Sequence, residues 1–266
     1  MNIFSSGGGV QSTAALVLAA QGKIDYPVFV FANTGDDSEH PDTLDYVRDV
    51  SVPFAKKNGI EFMIRQKRRL GKHEHQTLLG EIYRRKRSVP IPARMSNGAP
   101  GNRTCTVDFK IRIIDKFIAE ELNHGGRSVV VGLGISTDEI HRAKIREPVK
   151  TRGFIKSIEY PLIDLSLNRS QCQQIIINAG LPPAPKSACY FCPFHSKDEW
   201  VRLRHDRPDL FQKAVELERF INHKREAVLP KDKIWLHRSL RPLDEAVGLQ
   251  RTFDDLENCE DGYCFT

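Results

Sequence analysis

The sequence predicts an α/β fold with a doubly wound, mostly parallel β-sheet. Short apolar runs of strand length recur along the first two thirds of the chain, stretches with helical character separate them, and glycine or polar residues follow several runs directly. In sheets of this kind, ligands bind beyond the carboxyl ends of the strands. The polar segments that follow the runs are therefore the first candidates for a functional site.

Each element follows from its local sequence. The apolar run 28–32 is nearly continuous and stops at Asn33, which is typical of a buried parallel strand. Pro41 favours a helix start, because the first helical position needs no N–H donor. The predicted strands are residues 2–5, 28–32, 61–65, 127–134 and 159–164, and the predicted helices between them are 12–20 and 41 to about 57.

The composition changes after Leu181. A proline-rich loop that carries cysteine, LPPAPKSACYFCPFHS, comes first, and charged sequence with helical character follows from about Ser196 to Ala227. The sequence therefore predicts an α/β domain of residues 1–181. A helical, cysteine-bearing extension of residues 182–266 is expected to pack on it.

Charge and hydropathy limit the class of protein. The chain starts with a strand and a glycine turn, and no stretch of about 18 apolar residues is free of charge, so we expect a cytoplasmic protein without a membrane partner. The net charge is +6, and much of the excess lies in RQKRR (65–69) and RRKR (84–87). Such runs form either a solvated helix face or a surface for a polyanion such as nucleic acid.

The stretch SSGGGVQST joins the first predicted strand to the first predicted helix. Its glycines allow positive φ and close approach of a bound group, and its hydroxyl residues fall in the first helical turn, where N–H groups are free. These are features of a phosphate-binding turn. The segment lacks the lysine of a Walker loop and the spacing of a dinucleotide fingerprint. The candidate residues are Gly7, Gly8, Gly9, Gln11, Ser12 and Thr13.

Two further segments end at the same edge of the predicted sheet. Residues 33–37 follow the second strand and residues 132–138 follow the fourth, so both should converge with the glycine turn on one crevice. They add Asn33, Thr34, Gly35 and Gly132 to the candidate nucleotide-binding residues.

The chain has six cysteines and no secretory signal, so a disulfide framework is not expected. Cys189 and Cys192 form a CxxC pair, and Cys259 and Cys264 lie close together near the C-terminus. A lone CxxC pair indicates structural zinc, a redox pair or chance spacing, and the sequence leaves these alternatives open. Cys172 lies in a helical pattern, which predicts a core position.

The glycine turn resembles the pyrophosphate loop of the ATP pyrophosphatase superfamily, Ser-Gly-Gly-x-Asp-Ser-Thr. The Gly-Gly and Ser-Thr positions match, whereas Gly7 replaces the serine and Gln11 replaces the acid. Further segments are similar to the phosphoadenosine phosphosulfate reductase branch, in chain order over roughly residues 1–200. They are FANTGDDSEHPDTLDYV, RTCTVDFKIRIIDKF, VGLGISTDEIHRAKI, YPLIDLS and GLPPAPKSACYFCPFHS. The resemblance implies the HUP-type, adenine nucleotide α-hydrolase-like version of the fold.

This resemblance implies ATP and Mg²⁺ as ligands. The loop amides and the hydroxyls of Ser12 and Thr13 would hold the β- and γ-phosphates, leaving the α-phosphorus open to attack. The implied oxygen donors for Mg²⁺ are Asp36, Asp37 and Asp138. The implied catalytic residues, which would stabilise phosphate or acceptor oxygens, are Lys110, Arg103, Arg142 and Asp138.

A [4Fe–4S] cluster is also implied by the resemblance, with zinc as the alternative. Its ligands would be Cys105, Cys189 and Cys192, and Cys264 is the first choice for the fourth. Cys259, His195 and an open iron that holds an exogenous sulfur are the other choices for that position.

The implied reaction adenylates an oxygen of a nucleic acid so that sulfur can replace it. The branch that resembles this chain includes the sulfur-transfer enzymes of DNA phosphorothioation, so DNA is favoured over tRNA as the substrate, and a cysteine desulfurase is the implied sulfur donor. The basic segments, Lys67, Arg68, Arg69 and residues 84–87, would contact its phosphates.

Two alternative functions stay open at this point. A sulfonucleotide reductase would share the fold and the cluster, although NCEDGYCFT lacks the Glu-Cys-Gly-x-His tail of such enzymes. A non-catalytic nucleotide-binding subunit is suggested by Gln11 at the acidic position. The oligomeric state is also open, a homo-oligomer included.

Overall fold

Six strands form one sheet in the described part of the chain, which comprises residues 1–68, 74–86, 88–122, 128–144, 147–227 and 233–248 of a computed structural model. The strands are β1 Asn2–Ser6, β2 Val28–Asn33, β3 Glu61–Gln66, β5 Ser128–Leu133, β6 Val149–Thr151 and β7 Phe154–Glu159. Their order is β3-β2-β1-β5-β7-β6, and every neighbouring pair is parallel except β6 with β7. The predicted α/β class with a mostly parallel sheet is confirmed.

Helices connect these strands. The predicted helix from Pro41 to about Lys57 forms as α2 Pro41–Tyr46, a π-helical segment Val47–Ser51 and α3 Val52–Lys57. The others are α1 Val10–Ala20, α4 Leu78–Arg84, α5 Thr104–Thr106, α6 Arg112–Glu120, α7 Pro161–Asp164, α8 Arg169–Asn178, α9 Lys197–Asp206, α10 Pro208–Glu226 and α11 Leu243–Ala246. In the described ranges, no helix is both long and apolar enough to cross a membrane.

Both faces of the sheet are covered. On one face, Phe4 packs with α1 and with Cys172 of α8, and both residues are fully buried. The core position predicted for Cys172 is therefore confirmed. On the other face, Ile3 packs with Phe117 of α6. A sheet covered on both faces explains why its central strands read as continuous apolar runs.

A third hydrophobic cluster lies beside the sheet. Trp200 of α9 and Phe211 of α10 pack there with Leu78, Phe109 and Phe191. A short antiparallel pair of strands, β4 Arg94–Met95 and β8 Ile234–Trp235, joins the same two parts of the chain. The C-terminal helices thus pack on the segment between β3 and β5. The division of the chain at residue 181 stays a prediction.

The fifth strand lies earlier in the chain than predicted. The segment 159–164, which includes the YPLI of the resemblance, contains α7, and the strand is instead β7. Pro161 occupies the first turn of α7, where no N–H donor is needed. The sequence of β7, FIKSIE, is half polar and the strand is only partly buried, so its pattern is weak.

Candidate nucleotide crevice and cysteine cavity

The glycine turn leaves no room for side chains. Gly8 has a φ of 76°, in the left-handed region that favours glycine. A β-carbon on Gly8 would lie 2.9 Å from Thr43 Cγ2 and 3.1 Å from Phe31 Cε2. Gly9 is extended, and a β-carbon there would lie 3.2 Å from both the nitrogen and the β-carbon of Ser187. The turn is therefore fixed between the α2 helical stretch and the loop that precedes the CxxC pair.

The backbone N–H groups of the turn donate to serine hydroxyls. Gly7 and Gly9 both donate to Ser12 Oγ, at 3.1 and 3.3 Å, and Gly8 donates to Ser6 Oγ at 3.3 Å. These oxygens take the places that phosphate oxygens occupy in an anion-binding turn. Thr13 does not contribute, because it is buried and its hydroxyl donates to the carbonyl of Gly9 at 3.0 Å.

A crevice opens at the carboxyl ends of β1 and β5, where the strand order reverses direction. Its charged side chains are mostly cationic. Lys110, Arg142, Arg169 and Lys186 line it together with Gly7, Gly9, Gln11 and Ser12. Glu139 is the one carboxylate in this lining within the described residues. The apolar part consists of Val10, Ala32, Ile111, Ile114, Leu133 and Ile135. An apolar surface beside a cationic, amide-rich turn suits a purine nucleotide with a polyphosphate chain.

Gln11 links two charged side chains of the crevice. Its Oε1 accepts a hydrogen bond from Arg169 Nη1 at 3.2 Å, and its Nε2 donates to Glu139 Oε2 at 3.4 Å. Glu139 also pairs with the buried Arg142 at 2.6 Å. A carboxylate at position 11 would face Glu139 and repel it, whereas a neutral amide satisfies both neighbours. This network explains why glutamine occupies the position at which the ATP pyrophosphatase loop has an acid.

Several residues predicted for the crevice lie elsewhere. Asn33 supports the loop after β2, because its Oδ1 accepts from the Gly35 N–H at 2.8 Å, and Thr34 lines the cysteine cavity described below. Gly132 lies inside β5, where a β-carbon would be 2.7 Å from the ring of Tyr26. None of these four residues is part of the crevice lining. Packing of the sheet accounts for the glycine at position 132.

The carboxylates predicted as Mg²⁺ donors are held by neighbouring groups. Asp36 accepts from Asn33 Nδ2 at 2.7 Å, and Asp37 accepts from Thr77 Oγ1 at 2.9 Å. Asp138 accepts the backbone N–H of Arg169 at 3.0 Å, at the start of α8. None of the three carboxylates lines the crevice, so a cation bound there would meet Glu139 first.

The structure adds crevice residues that the sequence pattern did not indicate. Arg169, Lys186 and Ser187 come from the start of α8 and from the loop after it. Gly134, which follows the end of β5 and also lines the crevice, belongs to the predicted segment 132–138. A β-carbon on Gly134 would lie 3.3 Å from the nitrogen of Ser12, so glycine allows β5 to approach the start of α1. The glycine that follows β5 indicates a close approach of the backbone, whereas nothing in the sequence places Arg169 near residue 11.

Three of the predicted metal ligands line a single cavity. Cys105, Cys189 and Cys192 share it with Arg103 and Lys110. Burial raises the pKa of the Cys105 thiol, although the positive charges of Lys110 and Arg103 oppose this effect. Burial, with a contribution from the Glu39 carboxylate, also raises the pKa of the Cys189 thiol. Both thiols are therefore protonated near neutral pH, and a metal must displace their protons to bind.

The cavity fits a thiolate-bound group by its donor chemistry. It presents three sulfur donors, and the buried Glu39 Oε2 close to Cys189 has no hydrogen-bond partner in the described part of the chain. Within those residues, no three His, Cys, Asp or Glu side chains are close enough together to hold a metal ion. Cys259 and Cys264 lie outside the described residues. His195 bonds within its own loop, with Nε2 3.0 Å from the carbonyl oxygen of Cys189.

The crevice and the cavity adjoin each other. Thr106, Lys110 and Ser187 line both. Lys110 lies in a π-helical segment, Val107–Ile111, between α5 and α6. The Ser187 hydroxyl donates to the carbonyl of Gly7, which joins the CxxC loop directly to the glycine turn. A group bound at the turn and a group bound at the cysteines would therefore share Lys110 between them.

The two basic runs are partly used within the protein. Arg84 and Arg85 both bind the carboxylate of Glu81, which is 2% exposed. Burial alone would raise the pKa of Glu81, but the hydrogen bonds from the two guanidinium groups outweigh it and lower the pKa to about 2. Lys67 lies 4.3 Å from the ring centre of Phe109. Arg69 and Arg87 lie outside the described residues. Part of each basic run thus stabilises the fold, in addition to any role in binding a polyanion.

Comparisons with known proteins give matches among solved structures but none by sequence. The sequence matches no protein-family model and no curated protein sequence. The chain is similar to a tRNA thiolase of known structure. This is the U34-tRNA thiolase NcsA from Methanococcus maripaludis with its [4Fe-4S] cluster, at 18% sequence identity and a TM-score of 0.43, over 84% of this chain and 72% of that chain. The interpretation of the crevice and the cavity therefore rests on their own geometry.

Proposed function

We propose that this chain binds ATP in the crevice and transfers AMP to an oxygen of a nucleic acid, so that sulfur can replace that oxygen. The supporting observation is the shared border of the two sites. A glycine turn with cationic side chains, suited to a triphosphate, meets a cavity with three cysteines at Lys110. The sequence resemblance to ATP pyrophosphatases supports the same assignment.

The chemistry assigned to the chain follows from this arrangement. The N–H groups of the glycine turn bind the β- and γ-phosphates when these displace the hydroxyl of Ser12. The acceptor oxygen attacks the α-phosphorus, the bond from that phosphorus to the bridging oxygen breaks, and pyrophosphate leaves. Lys110 neutralises the charge that develops on the α-phosphate, and Arg142 and Arg169 bind the departing pyrophosphate.

Sulfur enters in a second step. A sulfur nucleophile at the oxidation level of hydrosulfide attacks the activated centre, and AMP leaves with the former acceptor oxygen. We assign Cys105, Cys189, Cys192 and Cys264 as ligands of a [4Fe–4S] cluster, with zinc as the alternative, and such a cluster would hold the incoming sulfur. A cysteine desulfurase is the expected sulfur donor. Because it delivers sulfur as a persulfide, a thiol reductant must supply two electrons, and is oxidised to a disulfide, to bring that sulfur to the hydrosulfide level. For the acceptor, we favour a phosphate oxygen of DNA over a base carbonyl of tRNA, because of the sequence resemblance.

Pyrophosphate release tests this proposal. Purified protein is incubated with ATP and Mg²⁺, alone and with single-stranded DNA, duplex DNA or tRNA. We expect pyrophosphate release that one nucleic acid stimulates, with label from [α-³²P]ATP carried transiently on that nucleic acid. Thiol-dependent sulfite release from a sulfated nucleotide would instead identify a sulfonucleotide reductase. ATP binding with neither product would identify a non-catalytic subunit.

Arg169 provides a prediction that the sequence alone does not give. Arg169→Ala removes one cation of the crevice and the hydrogen bond to Gln11, so the ATP dissociation constant should rise about tenfold in isothermal titration calorimetry. The ATP dissociation constant of Arg169→Lys should lie between those of the wild type and Arg169→Ala. Arg202→Ala, at an exposed position of α9, should have the dissociation constant of the wild type. An unchanged dissociation constant for Arg169→Ala would remove Arg169 from the phosphate site.

A further inference from the structure

Two aromatic side chains remain exposed on neighbouring helices. Tyr83 of α4 is 47% exposed and Phe220 of α10 is 37% exposed. Their ring centres are 4.8 Å apart, with an angle of 67° between the ring planes. Single exposed apolar side chains are common on soluble proteins, but a pair of contacting rings from two different helices forms a defined surface. We refer to Tyr83 and Phe220 as the aromatic platform.

The aromatic platform lies near the cysteine cavity. Leu78 lines that cavity, and Tyr83 follows it by five residues in α4, which corresponds to about 7.5 Å of helix rise. The Leu78 N–H donates to the carbonyl of Thr34 at 2.7 Å, so the start of α4 is attached to the end of β2. Burial and then the nearby Tyr83 hydroxyl raise the pKa of Tyr190, which adjoins Cys189. The Tyr83 side of the platform thus lies on a helix that begins at the cavity, although neither ring lines it.

Lys224 fixes the aromatic platform and brings positive charge to it. Its Nζ donates to the carbonyl oxygens of Ile82 and Tyr83, at 3.1 and 2.9 Å, and lies 5.0 Å from the ring centre of Phe220. Burial lowers the pKa of Lys224, but the ammonium form is what these three contacts favour. The lysine therefore holds the C-terminal end of α4 against α10.

Further cations flank the rings. Arg84 follows Tyr83 and is 65% exposed, although one edge of its guanidinium binds Glu81. Lys213 is exposed two turns before Phe220 in α10, and Glu216 is the acid between them on that side of the helix. Exposed rings with cations around them are the combination that binds single-stranded nucleic acid, since bases stack on the rings while the cations contact phosphates.

We propose that the aromatic platform stacks an unpaired base of the nucleic acid substrate near the cysteine cavity. The proposal rests on the proposed function, because it takes its substrate class from it. The base must be unpaired because a duplex hides the faces of its bases, whereas a single strand, a loop or a flipped nucleotide exposes them. Stacking does not depend on the sugar, so this surface accepts DNA and RNA alike.

Fluorescence anisotropy with labelled 12-nucleotide strands tests the platform. The variants are Tyr83→Leu, Phe220→Leu and the double variant, since leucine keeps the apolar contact between α4 and α10 but removes the aromatic faces. We expect the double variant to bind single-stranded DNA and RNA about tenfold more weakly than the wild type. The exchange pair Tyr83→Phe and Phe220→Tyr, which keeps both rings, should bind within about twofold of the wild type.

The controls separate this proposal from the proposed function. Ile177→Ala, at a residue of α8 that is 53% exposed, should leave strand binding unchanged. ATP binding should be equal in all variants, because neither ring lines the crevice. Equal strand affinity in the double leucine variant and the wild type would overturn the platform, as would a wild type that binds no single strand or prefers duplex. Pyrophosphate release is scored separately, so a wild type that binds strands but releases none would contradict only the proposed function.

Discussion

Lys110→Ala is expected to lower nucleic-acid-stimulated pyrophosphate release about a hundredfold while changing the ATP dissociation constant by no more than about threefold. The expectation follows from the position of Lys110, which lines both the crevice and the cysteine cavity. Under the proposed function, a cation at that border would face the phosphorus that reacts rather than the phosphates held by the glycine turn. Loss of one preorganised group that stabilises developing charge typically costs about 10²–10³ in rate.

The comparison variants for Lys110 make this result specific. Lys110→Arg keeps the charge, so its rate of pyrophosphate release should lie between those of the wild type and Lys110→Ala. The rate should not reach the wild-type value, because guanidinium and ammonium groups differ in shape and hydration. Lys23→Ala, at an exposed position outside both sites, should behave as the wild type. A wild-type rate of pyrophosphate release from Lys110→Ala would show that Lys110 does not act at the reacting phosphorus.

The Cys189→Ala/Cys192→Ala double variant is expected to lose its bound iron and the visible absorption of an iron–sulfur cluster. Anaerobically purified wild-type protein should contain about four irons per chain, and the double variant close to none, because two of the proposed ligands are missing. Iron analysis and absorption spectra measure this directly. Pyrophosphate release should continue in the double variant, since neither cysteine lines the crevice.

Cys172→Ala provides a matched control for the cysteine pair. Cys172 is buried against one face of the sheet, in a different hydrophobic cluster from the one that Cys105 and Cys189 contact, and it does not line the cysteine cavity. Its variant should keep the iron content of the wild type. Iron retained by the double variant would contradict the ligand assignment. A colourless wild-type protein that contains zinc would contradict the cluster and support the zinc alternative.

The sequence predicts those elements whose pattern arises from local burial. β2 is buried along its whole length, and α1 is buried at Val10 and from Ser12 to Leu18. Both segments therefore contain clear apolar runs. β7 is harder to predict, because it lies next to the edge strand β6 and its polar residues Lys156, Ser157 and Glu159 do not alternate regularly with apolar ones. The proline that begins α7 then shifted the predicted strand to the wrong segment.

The site is predictable only as far as its residues lie on one local motif. The glycine turn consists of consecutive residues, and cysteines are candidate metal ligands wherever they occur, so the sequence predicts both. The cations of the crevice are different, because Arg169 and Lys186 reach it through tertiary packing of α8 and the following loop. The pairing of Arg84 and Arg85 with Glu81 is local by contrast, at helical spacings of three and four residues, and it turns much of one basic run into part of the fold.

A crystal structure with a non-hydrolysable ATP analogue and Mg²⁺ tests the central claim most directly. The account predicts the β- and γ-phosphate oxygens within hydrogen-bond distance of the Gly7 and Gly9 N–H groups, with the Ser12 hydroxyl displaced from them. The α-phosphorus should face Lys110. A nucleotide bound outside the crevice, or a glycine turn that keeps its hydrogen bonds to Ser12 in crystals saturated with the analogue, would contradict it.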